Sequence, residues 1–332
     1  MKAALIATSL KALVERNISV CITGAPGGGK TSVVHQVAND LGIGIIEKHM
    51  PSLLVEDFGI PYMDANSTTF SYRMPDWYPY EGKPNIPDNG ILLFDDRNQA
   101  NADLQKVLAN IQQARTLHGV PLAKGWTVVS TGNRQSDRAG ANRILSHLAD
   151  RENEIEYETN LDDWCRWAIK AGVHPVVVAF IRFKPNMLHD FDANRDKNPT
   201  PRSWAEGISP LFGNVPPEAE FELYKGRVGE GAAIEFKAFA DIYRKLPNPD
   251  AIMLAPEKHP VPTEGSVLYA LSGALAARAT ENNFSAMMKF GNRLPAEFQV
   301  LLVRDAVGRN PEVAATDSFT SWASTNGTDI LM

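Results

Sequence analysis

The sequence predicts an α/β protein: a three-layer domain on a parallel sheet over residues 1–160, then a mostly α-helical region over residues 161–332. Three observations predict it. Up to about Asn160, short apolar runs suited to buried strands alternate with stretches of one-sided, helix-spaced hydrophobicity. Fully apolar strands belong to parallel sheets covered on both faces. Beyond Asn160 to Asp163 the strand signals stop and helical ones continue. The chain, at 332 residues, is also longer than one compact domain usually is.

The elements follow in order. Ile6, Leu10, Leu13 and Val14 fall on one face of a first helix. Met1 to Leu13 resembles a weak signal peptide, but Lys11 interrupts it and no small-residue cleavage site follows. Asn17 to Thr23 reads as a buried strand, Gly24 to Gly29 as a loop, and Lys30 to Leu41 as a helix with Val33, Val34, Val37, Ala38 and Leu41 in one stripe. Gly42 ends that helix, and Ile43 to Glu47 fits the next strand. Pro51 to Asp88, rich in Pro, Tyr, Asn and Asp, reads as irregular surface structure. Ile91 to Phe94 is a buried strand, Ala102 to Ala114 a helix, Thr127 to Ser130 a strand, and Thr131 to Gly140 a polar loop. Ile144, Leu145 and Leu148 suggest a helix, and Glu154 to Tyr157 a strand. Helices are expected over Leu161 to Ala171, Pro175 to Lys184, Pro201 to Leu211, Gly231 to Leu246 and Val267 to Thr280, with a polar loop from Asn186 to Thr200.

Composition bounds the function. Apolar residues make up 44% and charged residues 22%, as in ordinary globular proteins. A net charge of −6 argues against unspecific DNA coating, which needs a basic face. No apolar run approaches the ~20 residues of a membrane span. Cys21 and Cys165 stand in no metal-binding or redox pattern, which fits buried free thiols in a reducing, cytoplasmic setting.

The chemistry concentrates in three stretches. Gly24-Ala25-Pro26-Gly27-Gly28-Gly29-Lys30-Thr31 matches G-x-x-x-x-G-K-[ST], between a strand and a helix that continues with Ser32. Glycines let such a loop turn its N–H groups inward onto phosphate, and the helix dipole adds to the pull. Lys30 brings positive charge to the β- and γ-phosphates of ATP, and Thr31 offers a hydroxyl to Mg²⁺. The apolar run ending in Asp95 and Asp96 would hold the Mg²⁺ shell through Asp95 and orient the attacking water through Asp96. Asn133, closing Val128 to Asn133, is placed to bond the γ-phosphate or that water.

These elements in this order resemble the AAA+ ATPases. Asp95-Asp96-Arg97-Asn98-Gln99-Ala100 is similar to the D-E-x-N-R-A signature of the MoxR-like branch. Asp57 to Pro61 is similar to that branch's G-x-P segment, Ala149 to Arg151 to its D-R-F segment, and Thr200-Pro201-Arg202-Ser203-Trp204 to the sensor 2 motif of the helical lid. The resemblance covers about Val20 to Ser209, and phage and bacterial members of the branch are similar to the end of the chain. It implies a ring of identical subunits, usually a hexamer, with ATP at each boundary. Arg151 is then the arginine reaching the neighbour's γ-phosphate, with Arg143 the competitor, and Arg202 acts in cis. Thr200 as N-cap and Pro201 at the first helical position would start that helix. It further implies Mg-ATP hydrolysis coupled to remodelling of a partner protein, first among them one with a von Willebrand factor A domain. Leu117 to Lys124 would be a hairpin directed into a ring pore.

The chain departs from that pattern in places. Asp96 stands where Glu is usual, one methylene shorter, which predicts slow hydrolysis. Gln99 replaces Arg and Glu152 replaces Phe, which predicts altered contacts across the subunit boundary. The rival reading is a nucleotide-dependent switch that hydrolyses little and grips DNA or a partner in the ATP state; the acidic charge makes DNA the less favoured partner. A small-molecule kinase fits the second acid and the helical second half poorly. His35, His49 and His147 show no metal-ligand spacing and read as structural or solvated. Tyr72, Trp77, Tyr78 and Tyr80 with Arg73 read as packing an insertion onto the sheet, against a base-stacking alternative. Trp164 and Trp167, three apart, read as joining the two domains.

Overall fold

A computed structural model describes residues 1–134, 137 and 151–330. Its contacts divide the chain into two units, Met1–Thr159 and Asn160–Met332.

In the first unit, α1 (Ala3–Glu15) precedes β1 (Val20–Gly24), α2 (Lys30–Leu41) and β2 (Gly44–His49). A hairpin of β3 (Ile60–Tyr62) and β4 (Ser71–Arg73) stands before β5 (Asn89–Asp95) and α3 (Ala102–Ala114). A second hairpin, β6 (Thr116–Leu117) with β7 (Val120–Pro121), precedes β8 (Gly125–Asn133) and β9 (Asn153–Glu156). The sheet order is β2-β5-β8-β1-β9, and every neighbouring pair is parallel.

The central strands carry apolar residues on both faces because both faces are covered. On one face Val20, Ile22, Ile91, Leu93 and Val129 meet Ile6 and Leu10 of α1 and Val34 and Val37 of α2. On the other, Leu92, Phe94, Trp126 and Val128 meet Leu104, Leu108 and Ile111 of α3. Each such aliphatic side chain contributes about 1.5–3 kcal/mol by leaving water. Alternate residues of β5 thus serve opposite layers, which makes the domain three-layered. Asn101 starts α3 by accepting from the N–H groups of Asp103 and Leu104. Gly42 ends α2 in the left-handed conformation, φ 64°.

Of the aromatic residues read as packing the segment before β5 onto the sheet, Trp77 and Tyr78 do so, while Tyr72 and Arg73 are exposed. Tyr78 is fully buried, and Trp77 stands edge-on to Phe58 and Phe94. Tyr72 stacks on His118 with ring centroids 3.7 Å apart, joining the two hairpins. The hairpin expected within Leu117 to Lys124 is present, its strands beginning at Thr116.

The second unit is helical: α4 (Leu161–Lys170), α5 (Pro175–Phe183), α6 (Pro217–Val228), α7 (Glu230–Arg244), α8 (Pro249–Leu254), α9 (Gly265–Ala276), α10 (Phe284–Gly291), α11 (Ala296–Arg309) and α12 (Asp317–Ile330). Among the described residues no helix is long and apolar enough to cross a membrane.

Three expectations need correcting. Thr131 to Asn133 are not loop but the last residues of β8, paired to Ile22, Thr23 and Gly24 of β1. The stretch expected to be an α-helix from Pro201 runs as a π-helix over Ser203–Ile208 and then as turns. Trp164 is buried in the helical unit's own core, while Trp167 on the same helix is exposed. Glu152 faces inward, as described below. The helix suggested by Ile144 to Leu148 lies outside the described residues.

Candidate nucleotide site

Register brings the site together. The parallel pairs Gly24 with Asn133, Phe94 with Ser130, and His49 with Asp95 level the carboxyl ends of β1, β8, β5 and β2. Open α/β sheets bind ligands at this edge.

The loop from Gly24 leads directly into α2 at Lys30. Gly27 and Gly29 hold φ of 70° and 105°, a region costly for other residues. A Cβ on Gly24 would stand 2.9 Å from the Tyr157 carbonyl, so the backbone there admits only glycine without movement. Lys30 is buried, and its ammonium donates to the carbonyls of Gly24 and Ala25 and to Asn133 Oδ1, each at 3.0 Å. Ala25, Pro26, Gly28 and Ser32 lie in the same loop and first helical turn.

Thr31 donates its hydroxyl to Asp95 Oδ1 at 2.7 Å. Thr131 donates to the same oxygen at 2.5 Å, and its own oxygen accepts the Asp96 N–H at 3.1 Å. Asp96 sits at φ 53°, a left-handed conformation that Asp tolerates better than longer side chains. Asn133 Nδ2 reaches Asp96 Oδ1 at 3.4 Å. One amide therefore bridges the loop lysine and the second acid. Asn98 clamps the backbone of Asn133 from both sides: its Nδ2 donates to the carbonyl at 2.5 Å and its Oδ1 accepts the N–H at 3.1 Å.

Behind the two acids lies a buried ion pair between Arg97 and Glu152. The other Glu152 oxygen accepts from Gln112 at 2.7 Å and Ser130 at 3.1 Å. Glu152, expected at a subunit boundary, is instead an internal brace; a carboxylate at 1% side-chain exposure needs such partners. On β1, burial raises the Cys21 thiol above its ordinary range, so it stays protonated and packs as a small apolar group.

Arg151 donates to the Ala109 carbonyl at 3.4 Å and is half-buried. Its neighbour Glu154 accepts from Thr23 at 2.9 Å and Glu152 serves Arg97, so both nearby described acids are engaged away from it. Arg143, Ala149 and Asp150 lie outside the described residues. Arg202 is exposed at the helix start of the second unit. There Thr200 and Ser203 cap each other, N–H to hydroxyl, at 2.8 and 3.1 Å.

Sequence reasoning missed three participants: Thr131, Asn98 and His49. Thr131 was assigned to a loop. Asn98 carries no role that its sequence position alone reveals. His49 was read as structural or solvated, without metal-ligand spacing. The expected strand stopped at Glu47; two more residues carry it to His49, whose Nδ1 lies 3.6 Å from Asp95 Oδ2. The ligand atoms of His49, Asp95 and Asp96 all lie within 4.8 Å of one another. Extending Ile43 to Glu47 into register with Ile91 to Asp95 would have found it.

A parallel sheet with a glycine loop entering a helix, a buried lysine, and a hydroxyl bonded to a strand-end carboxylate defines a P-loop nucleotide-binding domain. Residues 20–156 match the model of the ATPase family associated with various cellular activities (AAA). A comparison with curated proteins finds no match. Among solved structures the chain is similar to the RuvB Holliday junction branch migration motor of Thermotoga maritima, at 16% identity and TM-score 0.38, over 82% of this chain and 80% of that one. It is also similar to a Cytophaga hutchinsonii protein described as an ATPase, at 15% identity and TM-score 0.35, over 92% of this chain and 80% of that one.

Proposed function

We propose that the chain binds Mg-ATP at this edge and hydrolyses it within a ring of identical subunits, in the manner of MoxR-like AAA+ ATPases. The work done is remodelling or activation of a partner protein, with a von Willebrand factor A domain protein as the first candidate. The observation that carries the reading is the Thr31 hydroxyl on Asp95 at 2.7 Å, beside the buried Lys30 ammonium.

The residues suit their tasks. The loop N–H groups and Lys30 hold the phosphates. Thr31 and Asp95 would hold Mg²⁺, which supplies charge neutralisation at the β- and γ-oxygens. Asp96 orients the attacking water and takes its proton at the carboxylate. Asn133, between Lys30 and Asp96, is positioned to register the terminal phosphate. Arg151 in trans and Arg202 in cis add positive charge where negative charge spreads in the transition state.

The test is Mg²⁺-dependent ATP hydrolysis over a range of protein concentrations, beside Lys30→Ala and Arg151→Ala. Turnover that rises with concentration and falls about 10²-fold or more in each variant is expected. Turnover indifferent to concentration and to Arg151 would remove the ring. ATP binding without turnover, with or without a protein partner, would replace hydrolysis with an ATP-dependent binding switch.

A further inference from the structure

We propose that His49, Asp95 and Asp96 form a cation site that binds without nucleotide and prefers divalent transition ions, such as Mn²⁺ and Zn²⁺, to Mg²⁺. The proposal rests on the reading of Asp95 as the metal-side carboxylate and adds to it a nitrogen donor from a different strand.

Geometry supports it first. His49 Nδ1 and Asp95 Oδ2 stand 3.6 Å apart, outside hydrogen-bond reach. Two ligands on one ion with bonds near 2.1 Å lie about 3 to 3.5 Å apart, as edges of an octahedron or tetrahedron. A shift of a few tenths of an ångström closes the gap. Asp96 brings a third ligand atom within 4.8 Å of both.

The Asp95 carboxylate is already divided. Oδ1 takes the hydroxyls of Thr31 and Thr131, which leaves Oδ2 turned toward the imidazole. The hydroxyls fix the carboxylate plane as outer partners of a metal ligand do. The frame is rigid: His49 and Asp95 are paired residues of adjacent parallel strands, and Asp96 is held through its N–H on Thr131. The imidazole is half exposed, so water can fill the remaining coordination positions.

Donor chemistry sets the preference. Mg²⁺ favours oxygen ligands and sheds water reluctantly. An imidazole with two carboxylates and open positions suits Mn²⁺, Fe²⁺, Co²⁺ and Zn²⁺. His35, on the neighbouring helix, is engaged with Glu47 at 2.6 Å and does not compete for the position.

The probe is Mn²⁺ added to the nucleotide-free full chain, followed by electron paramagnetic resonance. About one ion per chain is expected, with nitrogen modulation in the pulsed spectrum. His49→Ala, at an exposed position, should keep the wild-type melting curve, weaken Mn²⁺ binding at least tenfold and abolish the nitrogen signal. A hundredfold excess of Mg²⁺ should leave most of the Mn²⁺ bound. No binding below millimolar Mn²⁺ would overturn the site, and so would equal affinity in His49→Ala or a spectrum without nitrogen. Mg-ATP binding by the same wild-type samples separates the two claims. ATP binding without Mn²⁺ binding sinks this site and leaves the proposed function standing. Histidine-dependent Mn²⁺ binding without ATP binding does the reverse.

Discussion

Among the described residues each unit holds an arginine–carboxylate pair with both side chains buried, and the two pairs differ in what surrounds them. In the helical unit Arg182 of α5 meets Asp305 of α11, with one N–H···O contact at 2.8 Å and both side chains almost fully buried. Burial works to lower the Arg182 pKa, but the Asp305 charge and hydrogen bonds outweigh it and hold the guanidinium charged. Burial likewise pushes the neighbouring Cys165 thiol up to about 11. Around that pair lie apolar helix faces. In the α/β unit Arg97 meets Glu152, but Arg97 directly follows Asp95 and Asp96, and Glu152 also bonds Ser130 and Gln112. The same expensive device therefore has different consequences. One fastens two helices; the other fixes the turn that follows the strand-end carboxylates Asp95 and Asp96.

The largest expected effects come from breaking either pair. Arg97→Met and Arg182→Met each leave a carboxylate buried without its cation, which costs about 3–5 kcal/mol and is read in urea denaturation. The comparison is sharpened by turnover measured where each variant is still folded: about tenfold lower in Arg97→Met, and unchanged within about twofold in Arg182→Met. Equal loss of activity in both would mean that the Arg97 pair is no more tied to the site than the other. Adding Glu152→Gln to Arg97→Met should recover much of the stability, because the buried charge is gone.

A smaller effect tests the turn itself. Thr131→Val keeps the shape but removes the acceptor for the Asp96 N–H and the donor to Asp95. We expect about 1–3 kcal/mol of lost stability and slower hydrolysis with little change in ATP affinity.

The helical unit offers a pH test of comparable or smaller size. His174 Nδ1 accepts the Val176 N–H at the start of α5, and burial, helped by Arg309, lowers its pKa from 6.5 to about 4. The folded state therefore binds its proton less readily than the unfolded state. The stabilisation is complete above pH 6.5 and is lost progressively as pH falls to about 4. The shift corresponds to at most about 3 kcal/mol; partial solvent access to the ring reduces it to about 1–2. Denaturation curves at pH 7 and pH 5 should show the difference, and His174→Asn, which retains a capping acceptor, should shrink it.

The smallest effect concerns Asp96. Asp96→Glu extends the carboxylate toward the water and should raise turnover severalfold, while the left-handed backbone makes it cost up to about 1 kcal/mol in stability. Unchanged turnover would show that side-chain length does not limit the reaction.

Much of the site was legible because it is contiguous. Gly24 to Thr31 carries its own turn glycines, lysine and hydroxyl in one stretch, and the buried strand ending at Asp95 announces itself by four apolar residues before two acids. The helices over Ala102 to Ala114 and Leu161 to Ala171 were legible from the spacing of their apolar residues. Glu152 was not, because an isolated acid in sequence looks solvated until a guanidinium is packed against it.

The sequence by itself determined the three layers, the helical second half and the phosphate loop, since each rests on periodicity or on a local turn. Only the tertiary structure decided that His49 faces Asp95, that Thr131 and Asn98 hold the acids and Asn133 in place, and that Arg97 and Glu152 meet. Those contacts join residues of different strands and helices, and their partners are set by parallel register and packing rather than by spacing along the chain.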